Sequence, residues 1–183
     1  MLNTIKQWIF GHEAPSSDYV QRIKLVEQAE LQVNDLTLYI IASVVFIDSR
    51  QPISAQHVTW ALRRLMATHP LLRMRVGVLR GEWWWREMAA CEPEVRVDTS
   101  RDWQEVFSRQ TDERFDMERG PLWRVTLMPD VTSDYHEESA GLPHHCCLVM
   151  AFDHAIIDGT GKHHCAMQSS IKQVGCAMQS SIG

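Results

Sequence analysis

Apolar residues in this chain come in short runs of two different periods, separated by clusters of charged and turn-forming residues. Arg22-Ile23-Lys24-Leu25-Val26 alternates polar with apolar, which predicts a short half-buried strand. Glu27 to Val33 reads as a helical turn or two before Asn34-Asp35 interrupts it. Leu38 to Ile47 is apolar on both faces, the pattern of a buried strand, and Asp48 to Pro52 is a loop. The period then changes. Ser54 suits an N-cap, and Val58, Ala61, Leu62 and Leu65 recur at helical spacing with Arg63 and Arg64 on the other face. This helix ends near Thr68, because Pro70 disfavours helical geometry at His69.

Strand patterns resume at Leu71 to Leu79, with a turn at Arg80-Gly81 and a hairpin partner beginning at Trp83-Trp84-Trp85. Successive tryptophans on a strand face opposite ways, so part of this run packs on the helix layer. Glu94 to Val97 is a further short strand. Asp102 caps a helix to about Arg114, with Trp103, Val106 and Phe107 on its buried face. The turn Phe115 to Leu122 leads into a strand at Trp123 to Met128. A polar loop from Pro129 to Pro143 precedes the strand His145 to Phe152, which feeds a loop at Asp153 to Gly161. Helices alternating with strands and hairpin-like pairs predict an α/β fold, a mixed sheet with helices packed on it.

Three regions follow. Residues 1–18 form an N-terminal arm, residues 19–161 one domain, and residues 162–183 an atypical tail. In the tail, Cys165-Ala166-Met167-Gln168-Ser169-Ser170-Ile171 recurs verbatim from Cys176 to Ile182. Two copies of so short a peptide make neither a solenoid nor a folding unit.

Composition narrows the class. Over 183 residues, 45% hydrophobic and 22% charged residues describe a globular chain rather than a disordered one. A net charge of -5 with no Lys/Arg-rich run gives no case for nucleic acid. Apolar stretches are too short or too broken for a signal peptide or a membrane span, which predicts a cytoplasmic protein. Five cysteines, two of them adjacent in a predicted strand, do not make a disulfide framework and read as free thiols. His144-His145-Cys146-Cys147 and His163-His164-Cys165 invite a zinc reading. Adjacent strand residues point to opposite faces, so the first run cannot converge on one ion, and no metal site is predicted.

The chemistry concentrates at Asp153-His154-Ala155-Ile156-Ile157-Asp158-Gly159. Histidine is the side chain whose ordinary pKa lies near neutrality, so a suitably directed imidazole can take a proton from an attacking alcohol, amine or thiol. The two isoleucines can anchor the segment in the core. Asp158 then turns inward as a hydrogen-bond or ion-pair partner, and Gly159 allows a sharp turn beside the imidazole.

This segment resembles the His-His-x3-Asp-Gly signature of the chloramphenicol acetyltransferase-like acyltransferase superfamily. That group includes nonribosomal peptide condensation domains, polyketide-associated acyltransferases, wax ester synthases and alcohol acyltransferases. Two more stretches agree in order and spacing. The helix Gln56 to Thr68 followed by His69-Pro70-Leu71-Leu72-Arg73 resembles the family's first helix and its His-x-x-Leu-Arg-type segment. Phe115-Asp116-Met117-Glu118-Arg119-Gly120-Pro121-Leu122-Trp123-Arg124 resembles the stretch before the strand that runs toward the motif.

The resemblance implies the N-terminal subdomain of a chloramphenicol acetyltransferase-like fold. It makes His154 the general base that deprotonates an alcohol or amine as it attacks an acyl thioester, without an acyl-enzyme. Asp158 becomes structural, ion-paired with Arg73, and Gly159 keeps the substrate channel open. Acyl-CoA or an acyl carrier protein is the implied co-substrate, with no bound cofactor. Asp153 stands where the family has its first histidine. Family members are longer, with a tunnel between two similar subdomains, and the second of these is missing here. Two hypotheses follow: first, an acyltransferase, or the His-bearing half of one completed by another chain; second, a truncated, inactive subdomain that acts at most as a binding or interaction module.

Overall fold

The strand patterns assemble into two sheets on a shared core, described here from a computed structural model for residues 18–23, 40–131 and 141–157. Strands β1 (Tyr19–Arg22), β3 (Met74–Leu79) and β4 (Glu82–Glu87) form a three-stranded antiparallel sheet in the order β1-β4-β3. The second sheet has four strands, β2 (Ile40–Ser49), β5 (Val95–Val97), β6 (Trp123–Pro129) and β7 (His144–Asp153), in the order β2-β7-β6-β5. Its β5–β6 pair is parallel and its other pairs antiparallel, so this is the mixed sheet the sequence predicts.

Helix α1 (Ala55–Thr68) starts at Ser54, whose hydroxyl accepts the His57 N–H at 3.3 Å. The His57 imidazole accepts the Ser54 N–H in return, closing a capping box. Its buried face is Val58, Ala61, Leu62, Leu65 and Met66, as the periodicity predicts. Helix α2 (Trp103–Asp112) starts at Asp102, whose carboxylate accepts the N–H groups of Gln104 and Glu105.

The four-stranded sheet is covered on both faces. Alternate residues of β7 explain how. Cys146, Leu148, Met150 and Phe152 join the larger core with α1 and the inner face of the three-stranded sheet. Cys147 and Val149 face the other way and pack with Val106 of α2. Only a strand buried on both faces needs so continuous an apolar run.

Several boundaries differ from the sequence reading. The first described strand is Tyr19–Arg22, held by pairing of Tyr19 with Arg86 and of Arg22 with Trp84 of β4, while Lys24 to Val26 of the expected strand lie outside the described residues. Ile23 is buried and its N–H donates to the Trp83 carbonyl at 2.8 Å. The expected helical turns at Glu27 to Val33 and the first residues of the Leu38 strand lie outside the described residues. The strand expected from Leu71 begins at Met74, since Pro70–Arg73 forms a 3-10 turn with Leu72 donating to the His69 carbonyl. Helix α2 ends two residues early, at Asp112. The tryptophan run divides as expected. Trp85 is buried in the core and Trp83 packs against it, while Trp84 meets Tyr19 edge-on on the other face.

Among the described residues, no helix is long and apolar enough to cross a membrane. The duplicated peptide lies outside them.

Two outcomes test this packing. A Cβ on Gly77 of β3 would collide with the Cδ of Arg86, whose guanidinium pairs with Asp18 and lies 4.7 Å from the Tyr19 ring centre. Gly77→Ala should therefore lower stability in urea unfolding by about 1–3 kcal/mol, and by markedly less in an Arg86→Ala background. Equal losses in both backgrounds would contradict this account of the crossing. Burial pushes both the Cys146 and Cys147 thiols up to about 12. Peptide mass spectrometry after iodoacetamide treatment at pH 8 should find both unmodified in the folded protein and modified in urea. Fast native labelling of either would place it outside the core.

Candidate active site

The end of β7 carries the histidine that the sequence singles out. Where a loop was expected, residues His154–Ile157 form a single helical turn, α3, directly after the strand. Ala155, Ile156 and Ile157 are all buried in the larger core, so the turn is anchored by its apolar residues. His154 itself is half-buried. The structure thus presents an imidazole at the rim of a sheet on a short segment held from below. Asp158 and Gly159, the other signature residues, lie outside the described residues.

Arg73 ends the 3-10 turn that precedes β3. Its Nε donates to Glu87 at 3.2 Å and its Nη1 to the Met66 carbonyl. A guanidinium carries more N–H donors than these two contacts use, so this pairing leaves capacity for a further carboxylate.

The segment Phe115 to Arg124 is a rigid clip. Asp116 accepts the N–H groups of Glu118 and Arg119 at 3.1 and 3.0 Å, and its carbonyl accepts the Gly120 N–H at 2.8 Å. Gly120 has φ +62, and a Cβ there would meet the Met88 sulfur at 3.0 Å and Arg75 Cβ at 3.3 Å, so a glycine is required. The peptide between Gly120 and Pro121 is cis. Arg124 is buried, with its guanidinium 4.2 Å from the Phe115 ring centre and its Nη2 donating to the carbonyls of Gln110 and Glu113. Burial lowers its pKa from the ordinary arginine value. A cavity of about 250 Å³ opens beside Arg96, Glu113, Phe115 and Trp123, and His154 does not line it.

Three sequence stretches meet here through the backbone. The Leu72 carbonyl accepts the buried Trp123 indole N–H at 2.8 Å. The Leu122 carbonyl accepts the Asp153 N–H at 2.9 Å. Asp153 is 2% exposed, and its Oδ1 accepts the Ala155 N–H at 3.0 Å. Sequence reading noted Asp153 only as a departure from the signature and missed the turn it starts. The signal was present: an aspartate ahead of Ala-Ile-Ile is an N-cap pattern.

The histidine–cysteine run is split as strand geometry demands, with Cys146 and Cys147 in opposite layers. His145 is held by Asp48, Nδ1 to Oδ1 2.6 Å, at the end of β7 remote from His154. Among the described residues, no group of three or more His, Cys, Asp or Glu side chains could hold a metal ion.

No family model matches this chain, and no curated protein matches it. Solved structures do. A mutant form of the starter condensation domain of rhizomide synthetase RzmA superposes with a TM-score of 0.62 at 17% identity, over 82% of this chain and 36% of that one. The tallysomycin biosynthesis protein TlmII gives a TM-score of 0.61 at 17% identity, over 84% of this chain and 38% of that one. The four-domain nonribosomal peptide synthetase AB3403 gives 0.55 at 15% identity, over 81% of this chain and 11% of that one. The chain thus spans just over a third of the first two structures. With a mixed sheet, a second sheet and helices on both faces, it has the chloramphenicol acetyltransferase-like fold of condensation domains and corresponds to the N-terminal subdomain of that fold.

Proposed function

We propose that this chain supplies the base-bearing part of an acyltransferase that moves an acyl group from a thioester to an alcohol or amine. The observation that carries the reading is His154 at the end of β7, on a turn clamped to the core by Asp153 and three buried residues. A mutant form of the RzmA starter condensation domain, similar in fold, was solved in complex with C8-CoA. Acyl-CoA or an acyl carrier protein is accordingly the donor proposed here.

In this mechanism neutral His154 takes the proton from the acceptor O–H or N–H as its lone pair attacks the thioester carbonyl carbon. A tetrahedral oxyanion forms. It collapses with cleavage of the C–S bond, and the imidazolium returns its proton to the departing thiolate, so the products are an ester or amide and a free thiol. Asp158 pairs with Arg73 and shapes the turn after His154, while Gly159 leaves room for the acceptor. The remaining wall of the site comes from further residues of the fold, in a longer chain or a second one. The alternative reading is a binding module without turnover.

Thiol release from acyl-CoA donors, with a panel of alcohols and amines and with the remaining wall of the fold supplied in a longer chain or a second one, separates the two. The acyltransferase reading expects acceptor-dependent release that falls by about a hundredfold or more in His154→Ala, the usual contribution of a general base. Binding of donor without release, or release indifferent to His154→Ala, would favour the module.

A further inference from the structure

Asp153 replaces a histidine of the signature, yet it is one of the most deeply buried polar residues described, at 2% exposure. A carboxylate taken so far from water is costly unless donors meet it. One donor is the Ala155 N–H, 3.0 Å from Oδ1. That N–H belongs to the first turn of a helical segment, where backbone donors have no partner within the helix. A side-chain oxygen accepting from two residues ahead is the capping geometry of aspartate, asparagine and serine.

The backbone of Asp153 is itself immobilised. Its N–H donates to the Leu122 carbonyl, and it stands opposite Ile40 in the β2–β7 pairing. Leu122 is fully buried and follows the Gly120–Pro121 corner of the clip. The next residue, Trp123, is tied to the Leu72 carbonyl. His154 therefore sits between two residues joined to each other by a hydrogen bond, the first of which is bound to the neighbouring strand.

We propose that Asp153 is a positioning residue for His154: its carboxylate caps the turn that carries the imidazole and sets the direction in which that imidazole points. The catalytic consequence rests on the acyl-transfer reading, whereas the cap does not. Aspartate here is a local solution to orientation, and it acts through geometry that a neutral acceptor of the same reach can reproduce.

The test compares Asp153→Ala with Asp153→Asn and Asp153→Ser in the full chain, after circular dichroism and thermal melting have confirmed folding. Asparagine and serine keep an acceptor near the Ala155 N–H, so a fold lost in the alanine variant still leaves two informative proteins. Amide exchange of Ala155, read by NMR, should accelerate about tenfold in Asp153→Ala and return to within about threefold of wild type in Asp153→Asn. Thiol release should fall about tenfold or more in Asp153→Ala, through kcat and not through the KM for acyl-CoA, and recover in the asparagine variant. Unchanged Ala155 exchange in Asp153→Ala would overturn the proposal. So would Ala155 exchange in Asp153→Asn as fast as in the alanine variant, since charge rather than geometry would then carry the effect. If wild type releases no thiol with the remaining wall of the fold supplied, the acyl-transfer reading fails by itself, and amide exchange still decides the cap.

Discussion

The Leu122 carbonyl accepts the N–H of Asp153 at 2.9 Å, and the presentation of the candidate site depends on that contact. It joins the start of β6 to the end of β7 just before the chain leaves the sheet. Everything upstream serves to place Leu122. Asp116 folds the turn, Gly120 accepts a backbone angle that a side chain would strain, and Trp123 is fastened to Leu72. Downstream, the carboxylate of Asp153 closes on Ala155, and the apolar residues 155–157 enter the core. The base role proposed for His154 requires the histidine to hold its direction against rotation of the backbone that bears it. Backbone and side-chain bonds on either side supply that restraint without using the imidazole.

The same segment explains why Phe115 to Arg124 has its composition. Phe115 and Arg124 lie at the two ends of the stretch and meet ring to guanidinium, with Arg124 buried under the end of α2. Removing this arginine from water costs free energy, reflected in its lowered pKa, and two backbone carbonyls with the ring offset that cost. Their contribution is stiffness at the strand that flanks His154.

Much of the architecture was legible because burial imposes periodicity. The buried face of α1, the Ser54 and Asp102 caps, the turn at Arg80-Gly81 and the division of the tryptophan run all follow from local rules. What the local pattern did not show has a common cause. Strand β1 already begins at Tyr19 through pairing with Arg86 and Trp84, and no local rule reports a partner more than sixty residues away. The 3-10 turn at Pro70–Arg73 is similar. Leu71 and Leu72 look extended, while the Leu72 carbonyl is committed to the distant Trp123 indole.

At the site, sequence alone determined that a histidine follows an apolar strand and that two isoleucines behind it belong in a core, because hydrophobic pattern is a local property. It also carried the three stretches that mark the fold. Only tertiary structure decided that those stretches converge on the end of β7, through carbonyls of Leu72 and Leu122 that any residue could have provided. Backbone acceptors leave no trace in residue identity. Asp153 lies between the two cases. Its type is visible in the sequence, but its work depends on burial at the join of β7 and the turn, where a carboxylate can reach one particular N–H and is held to it by the strands on both sides.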